Sequence, residues 1–224
     1  MTQKPCIGKT KIAIGFSLIE LMVAILILGV LSAMAIPGWQ RMQKTARLSG
    51  DGHSLSETLS VAKMRAAANF TESRVFLYTG TSKPYFRIDV WNKSLGPNGC
   101  WVPDGKASPA QSDCLTSTTT TGNENYLSPG VSVGYGTVST APQNSSTTLA
   151  QASPCKQGGT LPTNGTDISS TSCIQFNSRG FPIPGSGTGF YITDGTRVYG
   201  TVTNAMGLIH TYVTDAGGSV WHAQ

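Results

Sequence analysis

Residues 16–36 form an apolar run that constrains the fold of this chain more than any other feature. The run, FSLIELMVAILILGVLSAMAI, is interrupted only by Ser17, Glu20 and Ser32. Its twenty-one residues would extend about 30 Å as an α-helix, which matches the hydrocarbon core of a bilayer. The pattern therefore predicts a transmembrane helix over residues 16–36.

Positive charge precedes this run in the form of Lys4, Lys9 and Lys11. Basic residues beside a span stay in the cytoplasm, so we expect a single-pass protein whose remainder is exported. Without these lysines the net charge of +5 falls to +2. No basic stripe then remains that would indicate nucleic-acid binding.

Two other interpretations of the run explain less. A secretory signal would be cut near residues 33–35 (AMA), but the apolar part of such a signal is only about 7–15 residues long. A plain membrane anchor gives no reason for Glu20, because an acid in a membrane helix costs about 2.5–3.5 kcal/mol near the centre, less near an end, and usually has a function.

The string GFSLIE at residues 15–20 resembles the type IV prepilin motif. The resemblance implies that a prepilin peptidase cuts after Gly15, that the new N-terminal residue Phe16 is N-methylated, and that Glu20 serves assembly with other pilins. A carboxylate of one subunit would neutralise the ammonium group of its neighbour, and such a pair partly offsets its own desolvation. The resemblance places the protein in the bacterial inner membrane with its head in the periplasm, and then in a pilus or pseudopilus.

The helical pattern continues as an amphipathic segment over residues 37–68. Pro37 stands where pilins often carry a helix-kinking proline, and proline removes one helical hydrogen bond. Gly50 and Gly52 weaken the helix by up to about 1 kcal/mol each, which favours a bend there. An apolar stripe with helical spacing indicates packing against a sheet, and its members are Leu48, Leu55, Leu59, Ala62 and Ala66.

From residue 73 the period changes to that of strands, which predicts a β-rich head over residues 73–224. Strand patterns lie at residues 74–78, 85–91, 131–135, 173–176, 189–193, 197–203, 208–213 and 219–221. Two Ser/Thr/Gly-rich stretches, 104–128 and 137–171, are expected to be long loops. The fold class is therefore α+β, and with the resemblance it is the type IV pilin fold, in which a long N-terminal helix packs on a sheet-rich head.

The resemblance makes residues 1–15 the prepilin leader, and the cysteines divide between this leader and the head. Cys6 precedes the apolar run, whereas the other four follow residue 99: Cys100, Cys114, Cys155 and Cys173. Four cysteines allow three pairings. We favour Cys100–Cys114 and Cys155–Cys173, because each closes a short loop. A metal site is the alternative, but no C-x-x-C motif or nearby histidine supports it.

Residues 173–182, CIQFNSRGFP, resemble the hydrophobic-x-Phe-x-x-x-Gly segment of the GspH/FimT proteins. In that family the segment precedes a terminal hairpin, which here corresponds to residues 190–213. The resemblance implies a minor pilin or pseudopilin. The two long stretches make this chain longer than expected for the family.

The residues outside these motifs suggest no catalytic set, so we expect no enzyme, cofactor or metal. His53, His210 and His222 are isolated, and turn chemistry explains Asp167, Asp194 and Asp215. Five arginines could attract DNA if they converged, although scattered solvated side chains are the simpler interpretation: Arg65, Arg74, Arg87, Arg179 and Arg197.

Two functions from different classes follow from these patterns. The first is a structural subunit of a type IV pilus or type II secretion pseudopilus. The second is a DNA-binding minor pilin, which is not favoured because residues 215–224 contain no Lys or Arg.

Overall fold

The computed structural model describes residues 17–80, 83–106, 108–118, 123–143, 148–183 and 189–224. The chain divides into two compact units, Met1–Gln43 and Lys44–Gln224. The helix α1 covers Leu18–Ala68. The strands are β1 Ser73–Tyr78, β2 Tyr85–Asn92, β3 Cys100–Pro103, β4 Asn125–Tyr126, β5 Ser132–Val133, β6 Thr171–Phe176, β7 Gly189–Thr193, β8 Arg197–Thr203, β9 Ile209–Asp215 and β10 His222–Ala223, with a short 3-10 turn at Gln111–Asp113.

The first unit is helical from Leu18 onwards. At residues 17–36 and 38–43 every side chain is exposed. Leucine, isoleucine and methionine are good or acceptable helix formers, and all helical backbone bonds are made within the segment. A helix that is apolar on all faces and has no protein partner suits a lipid environment.

The second unit contains two antiparallel sheets built from the strands of the described residues. Sheet I has the order β3-β2-β1-β6, with β4 also paired to β2. Sheet II has the order β10-β9-β8-β7-β5. Together with α1 they give the α+β architecture of a long apolar N-terminal helix followed by a sheet-rich head, which is consistent with the type IV pilin fold.

The main core of the second unit lies between its part of α1 and the two sheets. All five residues of the expected apolar stripe, from Leu48 to Ala66, are buried there. They meet alternate residues of sheet I, such as Val75 and Phe176, and residues of sheet II such as Phe190. Alternation in the strands places these side chains on one face, as period-2 geometry requires.

The opposite face of sheet I is also covered, because the two expected loops fold over it. Cys155 and Ile168 pack on Phe76 and Tyr85, and Leu115 packs on two tryptophans, Trp91 and Trp101. We call residues 155–168, together with 111–115, the outer layer. The described residues of the 104–128 and 137–171 stretches are therefore largely structural coverings, with β4 inside the first.

The far face of sheet II is covered in the same manner by residues from the 135–149 region. Val138 is buried against Tyr191, Val198 and Trp221. The Trp221 indole nitrogen donates a hydrogen bond to the carbonyl oxygen of Thr140 at 2.8 Å. The C-terminal residues are thus fixed to the head.

Several strand boundaries differ from the expectation. Strand β3 was not expected, because its four residues lie among Gly and Pro residues that indicate turns. The last strand pairs at His222–Ala223 instead of residues 219–221. Helix α1 continues without interruption through Gly50 and Gly52. The bend expected at the two glycines therefore does not break the helix.

Candidate functional site

The start of α1 carries the residues of the processing motif that the structure describes. The backbone nitrogens of Glu20 and Leu21 both donate hydrogen bonds to the carbonyl oxygen of Ser17, at 3.0 and 3.1 Å. Ser17 therefore occupies the position that precedes the first helical turn, and Glu20 lies within that turn. Acidic side chains are favoured there by the helix dipole.

Glu20 is an exposed acid on an otherwise apolar surface. Its neighbours Leu18, Ile19, Leu21 and Met22 are 76%, 67%, 54% and 60% exposed. A carboxylate in this setting has no cation beside it among the described residues of its own helix turn. It is therefore available to a charge on another molecule, which is the geometry that assembly by neutralisation requires.

Gly15 and Phe16, the expected cleavage and N-methylation residues, lie outside the described residues. Pro37 lies within α1, where it leaves the carbonyl group of Ala33 without its usual backbone donor. The kink remains a prediction. Farther along the span, the Ser32 hydroxyl donates to the carbonyl oxygen of Leu28 at 2.7 Å, so this polar side chain is satisfied within the helix.

The head contains two disulfides. They join Cys100 to Cys114 and Cys155 to Cys173, with Cα–Cα distances of 5.5 and 4.9 Å. Each attaches the outer layer to a strand of sheet I, the first at β3 and the second at β6. Disulfides persist in oxidising compartments, which is consistent with an exported head.

A buried ionic cluster lies between sheet I and the outer layer. Asp89 accepts hydrogen bonds from the Nε atoms of both Arg74 and Arg87, at 2.8 and 2.9 Å, and all three side chains are at most 1% exposed. Arg87 also lies 3.5 Å from Glu124, which is 2% exposed. These two arginines are therefore buried, and the expectation that they are scattered and solvated is wrong.

The environment of Arg74 explains how a guanidinium is tolerated there. Its Nη1 donates to the carbonyl oxygen of Lys156 at 2.5 Å, and its Cζ lies 4.3 Å from the ring centroid of Trp101. Burial lowers the pKa of Arg74 below its ordinary value, while Asp89 opposes that shift. Charge pairing, a carbonyl and an aromatic face together offset part of the desolvation.

The remaining candidate residues form no reactive set. The described residues contain no group of three or more His, Cys, Asp or Glu that could hold a metal ion. Asp194 accepts bonds from the backbone of Thr196 and Arg197, which is ordinary turn chemistry. Asp167 and Asp215 pair with Lys156 and Arg197. His53 lies edge-on to Tyr199, with ring centroids 5.8 Å apart.

One family model matches the chain. It describes the prokaryotic N-terminal methylation motif and covers residues 13–36. Comparisons with curated proteins and with solved structures give no match. The match spans the expected cleavage site, Glu20 and the apolar run.

The motif supports a type IV pilin-like protein. Helix α1 is long and apolar enough, by length and composition, to cross a membrane, and together with the motif it is consistent with membrane anchoring. Pilin-like proteins are structural subunits that a peptidase processes and that assemble with other pilins. Sequence reasoning found this segment because all of its signals are local, whereas it missed the buried ionic cluster, whose members meet only through strand pairing.

Proposed function

We propose that the chain is a minor pilin or pseudopilin of the GspH/FimT type, cut after Gly15, N-methylated at Phe16 and assembled through Glu20. The observation that carries the proposal is the methylation motif at residues 13–36 on a helix with one exposed acid in its first turn. The machine would be a type II secretion pseudopilus or a type IV pilus, in which the subunit initiates or caps the filament.

The physical mechanism follows from the first unit. The precursor is held in the inner membrane with its head in the periplasm. Cleavage creates an ammonium group at Phe16, and Glu20 of one subunit pairs with the ammonium group of a neighbour. The exposed apolar side chains of residues 18–36 then leave lipid and pack against other helices, and the charge pair fixes their register.

The N-terminus of the membrane-extracted protein tests the processing step. We expect intact and peptide mass spectrometry to find a chain that begins at N-methylated Phe16. Replacing Gly15 by leucine should leave the precursor uncut, because a bulky residue obstructs the approach of a peptidase to the backbone. A wild-type chain that begins at Ile36, or an uncut Met1, would contradict the proposal.

The assembly step is tested by Glu20→Ala, with Glu57→Ala as its control. Both residues are exposed acids on α1, but only Glu20 lies in the apolar segment. We expect both variants to insert into the membrane and only Glu20→Ala to be depleted, by about tenfold or more, from sheared filaments or purified pseudopili. Equal incorporation of the two variants would contradict a role of Glu20 in assembly.

The DNA-binding alternative gains no support from the head. Two of the five arginines considered for it, Arg74 and Arg87, are buried. Two others pair with acids, since Arg65 lies 3.0 Å from Asp104 and Arg197 lies 3.2 Å from Asp215. A structural subunit is therefore the function we propose.

A further inference from the structure

Two turns of the head have the same sequence pattern and the same hydrogen bonds. They are residues 177–181, NSRGF, and residues 204–208, NAMGL. In each, the asparagine Oδ1 accepts from the backbone nitrogens two and four residues later. In each, the backbone nitrogen of the asparagine also donates a hydrogen bond to the carbonyl oxygen of the fifth residue. We call them the twin turns.

The glycine of each twin turn is required by its backbone and by its neighbours. Gly180 and Gly207 have φ angles of +77° and +75°, and residues with a Cβ atom rarely adopt such positive values. A Cβ atom at Gly207 would also lie only 2.9 Å from the Gly180 carbonyl oxygen. The Lys63 ammonium of α1 donates to the carbonyl oxygen of Gly207 at 2.9 Å. Lys63 therefore ties α1 to the second twin turn, and the two turns pack closely against each other at Gly180 and Gly207.

The twin turns expose large apolar side chains to solvent. Phe181 and Leu208, the fifth residues of the twin turns, are 43% and 54% exposed, and Met206 is 69% exposed. A groove of about 400 Å³ runs between α1 and the turns, and its lining includes Lys63, Met64, Arg179, Gly207 and Leu208. Met64 of α1 is 61% exposed, and it lines the same groove as Leu208. Exposed apolar clusters of this kind commonly mark interaction surfaces.

The groove has charge of one sign only. Lys63 and Arg179 are its titratable lining residues, and no acid is among the described residues that line it. The Arg179 guanidinium is exposed and has no ion pair or side-chain hydrogen bond within the described part of the chain. The segment that best complements this groove is therefore an apolar one that carries a carboxylate.

We propose that this groove docks a neighbouring pilin-like subunit, which inserts an apolar segment beside Leu208 and Met64 and places a carboxylate against Arg179. The inference rests on the proposed function, because it names the head contact of a subunit in a filament. The backbone of the twin turns is already held by hydrogen bonds. Little backbone conformational entropy is therefore lost on binding.

Site-specific photo-crosslinking in the membranes and filaments of the native host tests this proposal. A photoreactive phenylalanine analogue replaces Leu208 in the full chain, and the matched control carries it at Leu161. Leu161 is also an exposed leucine, 56% against 54%, but it lies outside the groove. We expect the Leu208 adduct to exceed the Leu161 adduct by about tenfold. Its partner should be identified by peptide mass spectrometry as a chain with an N-methylated N-terminus.

Charge reversal supplies the second readout. In the Leu208-labelled chain, Arg179→Glu should reduce the adduct by about tenfold, whereas Arg179→Lys should retain most of it. Unchanged mobility on non-reducing gels shows that the disulfides of each variant have formed. A processed chain that enters filaments but gives equal adducts from both positions, or an adduct insensitive to Arg179→Glu, overturns the docking proposal alone. Failure of the wild-type chain to be processed and to enter filaments overturns the proposed function and this inference with it.

Discussion

Gly52 of α1 lies directly beneath the ring of Tyr199 in β8, so close that a Cβ atom at position 52 would overlap the ring carbons. Gly50, two residues earlier, has open space around it. The two glycines cost the helix similar intrinsic stability, but only one of them is needed for packing. Glycine at position 52 thus allows helix and sheet to approach closely.

Substituting the two glycines should have opposite effects. We expect Gly50→Ala to stabilise the protein by up to about 1 kcal/mol through helix propensity. Gly52→Ala should destabilise it by about 1–3 kcal/mol, because the added methyl group forces the Tyr199 ring to move within a packed core. Thermal unfolding of the purified chain in detergent measures both. Shifts of the same sign would contradict the contact.

Removing the carboxylate of Asp89 should be the most damaging single charge change in the head. Asp89→Asn leaves Arg74 and Arg87 buried without their common anion, which costs about 3–5 kcal/mol. The control is Asp104→Asn, which breaks the partly exposed pair with Arg65 and should cost less than about 1 kcal/mol. Denaturant unfolding of the two variants provides the comparison, and comparable losses would argue against the cluster.

Loss of the Cys155–Cys173 disulfide should loosen the outer layer more than the rest of the head. The bond closes a separation of 18 residues, and a loop of that size is worth about 3 kcal/mol in the chain-entropy model. We expect the Cys155→Ala/Cys173→Ala variant to be cut by trypsin after Lys156 at least about tenfold faster. Cleavage after Arg87, in the central strand, should not accelerate to the same extent, and equal acceleration would indicate global unfolding.

Glu72 gives the head a defined pH dependence. Burial raises the pKa of Glu72 above its ordinary value of 4.5, although a hydrogen bond from Gln175 and the charge of Lys93 oppose the shift. Because the folded-state pKa is raised, the associated stability is present below pH 4.5 and is lost as pH rises through the raised pKa. Above that pH the ionised group destabilises the fold.

Glu72→Gln removes the ionisation and keeps an acceptor for the Gln175 amide. We expect its melting temperature to exceed that of the wild type at pH 7 and to equal it well below pH 4.5, where Glu72 is protonated in both the folded and the unfolded state. A difference that is independent of pH would show that the amide acts through packing instead of charge.

The sequence was sufficient to predict the features that depend on local patterns. The apolar run, the helical stripe from Leu48 to Ala66 and most strands follow from periodicity, which acts over a few residues. The short loops closed by the cysteines favoured the pairing that the structure contains. The role of Gly52 could not be predicted, because Tyr199 is remote in sequence.

The buried arginines show the same limit in a strand. Alternation places Arg74 and Arg87 on the opposite face of sheet I from Val75 and Ile88. That face would normally be exposed to solvent. The register of β1 and β2 sets Arg74 opposite Asp89, and Arg87 is two residues from Asp89 on the same face. This R-x-D spacing was a usable local signal, but the outer layer that covers it comes from segments with no periodicity.

The hydrogen bond between Arg74 and Lys156 joins residues 82 positions apart, and this separation determines when the head can be completed. Contacts of such long range form late, because the intervening chain must be ordered first. Strands β1, β2 and β3 of sheet I are close in sequence and can pair before β6 and the outer layer are in place, and until then they expose two arginines and a tryptophan. We therefore expect an incompletely oxidised head to be a substrate for chaperones and proteases.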